Sequence, residues 1–267
     1  MPLLHLILVA LIQGVTEFLP ISSSGHLILL PRLTGMDDQG LAIDVAVHVG
    51  TLFAVIIYFW ADVKMALIGF GRLLRGKKDT EGARLAFNLI IATIPVVIAG
   101  LIMKVLGIDE MLRSVAVIGW TMLIFGLVLF WADQSKSETL REERWTTKHA
   151  IIMGLWQVLA LIPGTSRSGI TITGARALGY ERHAAAKLAM LMSIPVISAS
   201  GILLAGDVVA AGDMALLRDG LFAAIFAFVS ALGALWIMMR LLYSVSFTPY
   251  VIYRVFLGAF LLFIAYM

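Results

Sequence analysis

The chain alternates long apolar runs with short polar interruptions, and the length of each run decides what it can be. Six runs reach the roughly 20 residues that an α-helix needs to cross about 30 Å of hydrocarbon. They cover residues 41–60, 85–104, 114–132, 188–206, 220–239 and 249–266, and each predicts a transmembrane helix. Two regions break the pattern. Residues 2–35 are interrupted by Gln13, Glu17, Pro20 and a run of three serines, and residues 150–180 by Pro163, Gly164 and the stretch TSRSG. Their apolar pieces, about 10–14 residues long, are too short to span, and non-helical backbone at membrane depth is tolerated only against protein or a wet cavity. The pattern therefore predicts two re-entrant hairpins whose loops line a site. The segments 61–84 and 133–149 read as the longest loops, charged and solvated.

The two broken regions align with each other. Gln157 stands 144 residues after Gln13, and the same offset carries Ser22 onto Ser166, Ser24 onto Ser168, Gly25 onto Gly169, Arg32 onto Arg176 and Gly35 onto Gly179. Each half, about 1–145 and about 146–267, then reads as one hairpin followed by three spans. Three is odd, so the second hairpin enters from the opposite face, the inverted-topology arrangement of many transporters. The expected fold is an all-α polytopic membrane protein: a single membrane domain of six transmembrane helices and two re-entrant helix-loop-helix hairpins.

Basic residues orient it. One face receives Lys64, Arg72, Arg75, Lys77, Lys78, Arg84, Lys136, Arg141, Arg144, Lys148, Arg176, Arg182, Lys187 and Arg240, the other only Arg32, Lys104, Arg113 and Arg218. The first face is expected to be cytoplasmic and both termini to lie outside. Composition agrees with membrane residence: 61% of residues are hydrophobic, 14% are charged, and the mean hydropathy is +0.98. The N-terminus has no basic region ahead of its apolar run, so no removable signal peptide is expected. Without a cysteine, disulfide and thiolate chemistry are excluded, and five scattered histidines give no zinc spacing. The net charge of +3 is explained by topology, and no nucleic-acid partner is expected.

A serine-rich turn that enters a new half-helix offers backbone N–H groups, hydroxyls and a positive dipole end to an anion. The first turn carries Ser22, Ser23, Ser24 and His26, the second Thr165, Ser166, Arg167, Ser168 and Thr171. If the tips meet, Glu17 joins them. A carboxylate within an apolar segment is costly and by default functional, and Gln13 lies one turn earlier on the same face. Such a pocket suits phosphate: arginine binds it bidentately, and serine or histidine can serve as nucleophile or acid/base. Ser23, His26 or a water held by His26 and Glu17 all remain open as the nucleophile. Asp44 and His48, four apart in one span, either line the cavity or bond between helices. Arg254 either reaches a phosphate or sits at an interface or in an ion pair.

Two stretches carry a family likeness. QGVTEFLPISSSGH at residues 13–26 resembles the first motif, and PGTSRSGIT at 163–171 the second, of the undecaprenyl-diphosphate phosphatase family, also called the bacitracin-resistance proteins. SFTPYVIYR at 246–254 is similar to that family's C-terminal segment. The resemblance implies an enzyme of the bacterial inner membrane that hydrolyses undecaprenyl diphosphate to undecaprenyl phosphate and inorganic phosphate. That reaction recycles the lipid carrier of peptidoglycan and other wall polymers and confers bacitracin resistance. It implies a periplasm-facing site with Glu17, Ser23, His26 and Arg167 catalytic. Gln13, Ser22, Ser24, Gly25, Ser166, Ser168, Gly169 and Thr171 then bind the diphosphate. Many members have Glu where this chain has Gln13, which weakens a two-carboxylate metal site. A divalent cation, Mg or Ca, is expected at most through Glu17 and the substrate, with no organic cofactor. The rival class is a lipid-phosphate transporter or flippase using the same pocket. The type-2 phosphatidic acid phosphatases are rejected, because no second histidine follows the SR pair at the required distance.

Overall fold

The computed structural model describes residues 2–35, 39–112, 114–135, 139–210 and 214–267. Its elements are α1 (Leu3–Phe18), α2 (Ser23–Leu27), α3 (Leu29–Thr34), α4 (Gly40–Tyr58), α5 (Trp60–Leu73), α6 (Glu81–Leu106) and α7 (Ile108–Met111). They continue with α8 (Val115–Ser135), α9 (Thr147–Val158), α10 (Arg167–Ala177), α11 (Arg182–Ala210), α12 (Met214–Leu241) and α13 (Thr248–Tyr266). Among the described residues the only β pairing is an isolated bridge between Leu140 and Tyr180. Six helices are long and apolar enough to cross a membrane: α4, α6, α8, residues 182–202 of α11, residues 216–241 of α12, and α13. All six predicted runs coincide with them. The chain is a multi-pass α-helical membrane protein. Arg113 and Lys136, two of the cations used for orientation, lie outside the described residues, as does the side chain of Arg32.

One segment differs from expectation. Residues 61–73, read as part of a solvated loop, belong to α5, which packs against α6 through two glycines. A Cβ on Gly69 would stand 2.0 Å from the Gly82 carbonyl carbon, so only glycine permits this approach. Charged Asp62, Lys64 and Arg72 hid the helix from a search for uninterrupted apolar runs. Small residues recur wherever helices meet closely. Gly14 of α1 faces the Ala227 carbonyl of α12, Gly50 of α4 the Ala224 carbonyl, Gly154 of α9 the Ala92 carbonyl of α6, and Gly119 of α8 lies against Gly258 of α13. In lipid, where burying apolar surface between helices gains little, close backbone packing of this kind holds helices together.

Both broken regions are broken helices. Leu19, extended with ψ 142° as a residue before proline prefers, ends α1 ahead of Pro20. Ile162, with ψ 118°, ends the short 3₁₀ turn Leu159–Leu161 ahead of Pro163. Helix resumes after Ser22 (φ 72°, ψ 105°) and after Ser166 (φ 70°, ψ 112°). These two serines are the only non-glycine residues with positive φ among the described residues. Gly35 (φ 67°) and Gly179 (φ 94°) close the stretches that follow.

Arg176, counted with the loop cations, is in fact fully buried. Its guanidinium meets the equally buried Asp133 at 2.9 Å, and Arg182 donates to the same carboxylate oxygen at 2.9 Å. The backbone N–H of Phe247 also donates to Asp133, tying α8, α10, α11 and the start of α13 together away from the loops. A buried carboxylate is tolerated with such a set of donors and would be strongly destabilising with fewer.

Candidate active site

The two broken loops touch. Gly164 N–H donates to Ser24 Oγ at 3.1 Å, and Ser168 Oγ donates to the Leu19 carbonyl at 3.0 Å, a reciprocal exchange across the pair. Within each loop the paired hydroxyls lie alike: Ser22 and Ser24 are 3.0 Å apart, Ser166 and Ser168 3.1 Å. Behind them sits Arg254 of α13. It is fully buried and donates to the carbonyls of Pro20, Gly164 and Thr165 in the loops and of Thr121 and Met122 in α8. Thr121 adds a bond from its hydroxyl to the Pro163 carbonyl at 2.6 Å. Arg254 therefore neither lines the cavity nor pairs with a carboxylate among the described residues; braced on two carbonyls of α8, it satisfies loop carbonyls that have left the helix and have no water to turn to.

In front of the contact lies a cavity of roughly 380 Å³, lined by Glu17, Ser22, Ser23, Ser24, Ser166 and Arg167 with Asp44 and His48 of α4 and Ser200 of α11. A second lobe of roughly 520 Å³ shares Ser23, Ser24, Asp44, His48 and Pro163 and adds Gln13 with apolar Leu27, Ile28, Ile118 and Leu161. Glu17 is the hub. Its Oε1 receives Arg167 Nη2 at 3.1 Å, and its Oε2 receives Gln13 Nε2 at 2.7 Å and Ser23 Oγ at 3.4 Å. The glutamate and arginine side chains are 8% and 13% exposed, dry enough for the pair to matter yet open to a ligand.

Each expected site residue can now be placed. Glu17, Ser22, Ser23, Ser24, Ser166 and Arg167 come together at the cavity, and Gln13 borders it. His26 does not line it: Nδ1 lies 2.8 Å from the Ser22 carbonyl and Nε2 2.6 Å from the hydroxyl of Tyr253, whose ring stacks on the imidazole. Gly25 and Gly169 serve packing, against Met122 and Arg254. Ser168 joins the loops, and Thr171 bonds back to the Arg167 and Ser168 carbonyls of its own helix. Both roles open for Asp44 and His48 are seen: the two residues line the cavity, and His48 also bonds between helices, its Nε2 lying 3.1 Å from Gln13 Nε2 of α1. The signal was an ionisable pair at helical spacing inside a span.

The described side chains around Glu17 do not by themselves form a metal site. Both of its oxygens already face donors, the Gln13 amide nitrogen among them, and no group of three or more His, Cys, Asp or Glu side chains among the described residues is placed to hold a metal. A divalent ion takes six or more oxygen ligands, of which Glu17 would supply one or two, with water and substrate phosphate supplying the rest.

Fold and site together define a polytopic membrane protein with a carboxylate, a serine-rich loop and an arginine in one cavity between helix breaks. The chain belongs to the bacitracin resistance protein BacA family, whose model matches residues 6–260. It is 69% identical over 266 residues to a protein of Roseobacter denitrificans named undecaprenyl-diphosphatase, covering 100% of each chain. A protein of the same name from Ruegeria pomeroyi is 64% identical over 266 residues, again covering 100% of each, and one from Alteromonas mediterranea 46% over 262 residues, covering 98% of each.

Proposed function

We propose that this chain hydrolyses undecaprenyl diphosphate to undecaprenyl phosphate and inorganic phosphate, recycling the lipid carrier of peptidoglycan and other wall polymers and so conferring resistance to bacitracin. The observation that carries the reading is the convergence of Ser23 Oγ and Arg167 Nη2 on the two oxygens of Glu17, at 3.4 and 3.1 Å. Family membership and the name of the relatives support it.

In this mechanism the diphosphate enters between the loops and the isoprenoid tail lies along the apolar lobe beside Leu27, Ile28 and Ile118. Arg167 turns from Glu17 to the phosphate and stabilises the charge that grows on the transferred group. Ser23 Oγ attacks the terminal phosphorus while Glu17 takes its proton. The bond from that phosphorus to the bridging oxygen breaks, and undecaprenyl phosphate leaves with the electron pair, receiving the proton from Glu17. Water then attacks the phosphoserine and gives its proton to Glu17, which returns one to Ser23 Oγ as the phosphorus–Oγ bond breaks. Ser23 is preferred to His26 as nucleophile because both imidazole nitrogens are engaged outside the cavity. No step runs through a metal ion.

The same reading takes the two loops as re-entrant tips of an inverted repeat, about 1–145 and about 146–267, in the bacterial inner membrane. Three spanning helices, α4, α6 and α8, separate the tips. The cavity is lined by the first half of α4 and by Ser200 and Gly201 in the later part of α11, the ends remote from the basic segments 61–84 and 139–149. With those segments cytoplasmic, the site faces the periplasm and both termini lie outside.

The test is phosphate release from C55 isoprenoid diphosphate by purified protein in detergent, with Ser23→Ala and Arg167→Ala alongside. Release by wild type that both substitutions abolish is the expected result. A well-folded wild type that binds the lipid but releases no phosphate would replace the hydrolase with a lipid transporter or flippase using this pocket.

A further inference from the structure

Beyond the residues of the two motifs, the geometry points to His48 as a positioning residue of the hydrolytic site, acting on Glu17 through the side-chain amide of Gln13. The inference rests on the phosphatase reading and adds to it a residue from a spanning helix outside both motifs.

His48 lies in α4, with Nδ1 2.7 Å from the Asp44 carbonyl one turn back. A carbonyl only accepts, so Nδ1 carries the hydrogen and Nε2 of the neutral ring presents a lone pair. That lone pair faces Gln13 Nε2 at 3.1 Å. The same amide nitrogen lies 2.7 Å from Glu17 Oε2, so its two hydrogens have one acceptor each. Reversing the amide would set its oxygen against a carboxylate oxygen and an imidazole lone pair, two repulsions in place of two bonds. The orientation is held at a cost, because Gln13 is fully buried and its Oε1 has no hydrogen-bond partner. Only the two acceptors account for an amide fixed that way round.

A fixed amide fixes the carboxylate. Without substrate, Arg167 on Oε1 and Gln13 on Oε2 hold Glu17; once Arg167 turns to the phosphate Gln13 is the holder that remains, and the other lone pair on Oε2 points to the Ser23 hydroxyl. Without His48 the amide can flip, Glu17 loses a donor, and the base is no longer held against its nucleophile. Among the described hydrogen bonds His48 makes none to the second loop, and its own distance to Glu17 is 3.9 Å, so its effect passes through Gln13. The His48 side chain is 41% exposed to the cavity, so replacing it leaves the packed core intact.

The experiment measures kcat and KM for phosphate release in detergent for wild type, His48→Leu, His48→Gln, Gln13→Met and the Gln13→Met/His48→Leu double variant, with thermal unfolding as a check on folding. His48→Leu is expected to lower kcat about 10-fold or more with KM within about twofold, because ground-state binding is untouched. His48→Gln, whose amide oxygen accepts the same N–H, restores activity to within about threefold of wild type. In the Gln13→Met background His48→Leu has no further effect, the signature of two residues acting as one unit. Additive losses, a rise in KM in place of a fall in kcat, or a fully active His48→Leu would each overturn the proposal. A wild type that releases no phosphate would overturn the phosphatase reading and this proposal with it, whereas an active wild type with an indifferent His48→Leu overturns this proposal alone.

Discussion

The loop around Ser22 and the loop around Ser166 have nearly the same backbone and opposite chemistry. Both follow a helix that ends ahead of a proline, both restart helix from a serine with φ near 70°, and both pair that serine with another two residues on. Yet where the first has Glu17, Ser23 and His26, the offset of 144 residues places Leu161, Arg167 and Ile170 in the second. His48 likewise falls on Met192. One loop carries acid and nucleophile, the other the cation. Two copies of one loop facing each other would put like charges together; divergence at these positions turns the same contact into an attractive pair that is also a reaction site.

That division can be broken at several points. The largest effect is expected from Ser23→Ala or Glu17→Gln, each lowering phosphate release by about 10³-fold or more. Ser166→Ala, at the matching cap, should cost less than about 10-fold, since it removes mainly the bond to Gly169 N–H. Equal losses in the two loops would mean that they do not divide the chemistry between them. Next comes Arg254→Met, which strips donors from carbonyls of both loops at once and should lower stability by about 3 kcal/mol, read as a fall in the detergent unfolding temperature. Arg167→Lys keeps the charge but loses the fork, and about a 10²-fold drop in kcat is expected. A near-normal rate would show that charge alone is needed from the second loop. Ser24→Ala and Ser168→Ala each remove one bond of the reciprocal pair, and each should cost about 1 kcal/mol. Chelator should leave the unfolding temperature unchanged.

Much of this was legible in the sequence, for reasons of scale. A spanning helix is a local property of some 20 residues, so all six stood out from length and apolarity alone. The loops were equally visible, because Pro20, Pro163 and the serine runs cannot continue a helix in lipid. What was hidden depends on contacts between distant residues. Nothing near Arg254 says that it reaches carbonyls 90 and 234 residues away. The orientation of His26 toward Tyr253 depends on a contact between α2 and α13, 227 residues apart. His48 could be suspected as an intramembrane histidine, but its bond to Gln13 needed α1 and α4 side by side.

The position of Arg254 also has a consequence for biosynthesis. It lies in the thirteenth of the thirteen α-helices described, so during synthesis both loops are made, and twelve helices precede it, before the side chain that pins them exists. Until α13 is threaded in, the loop carbonyls must be satisfied by water or lipid headgroups. Of the described helices, the last to be synthesised is thus the one whose arginine pins both loops.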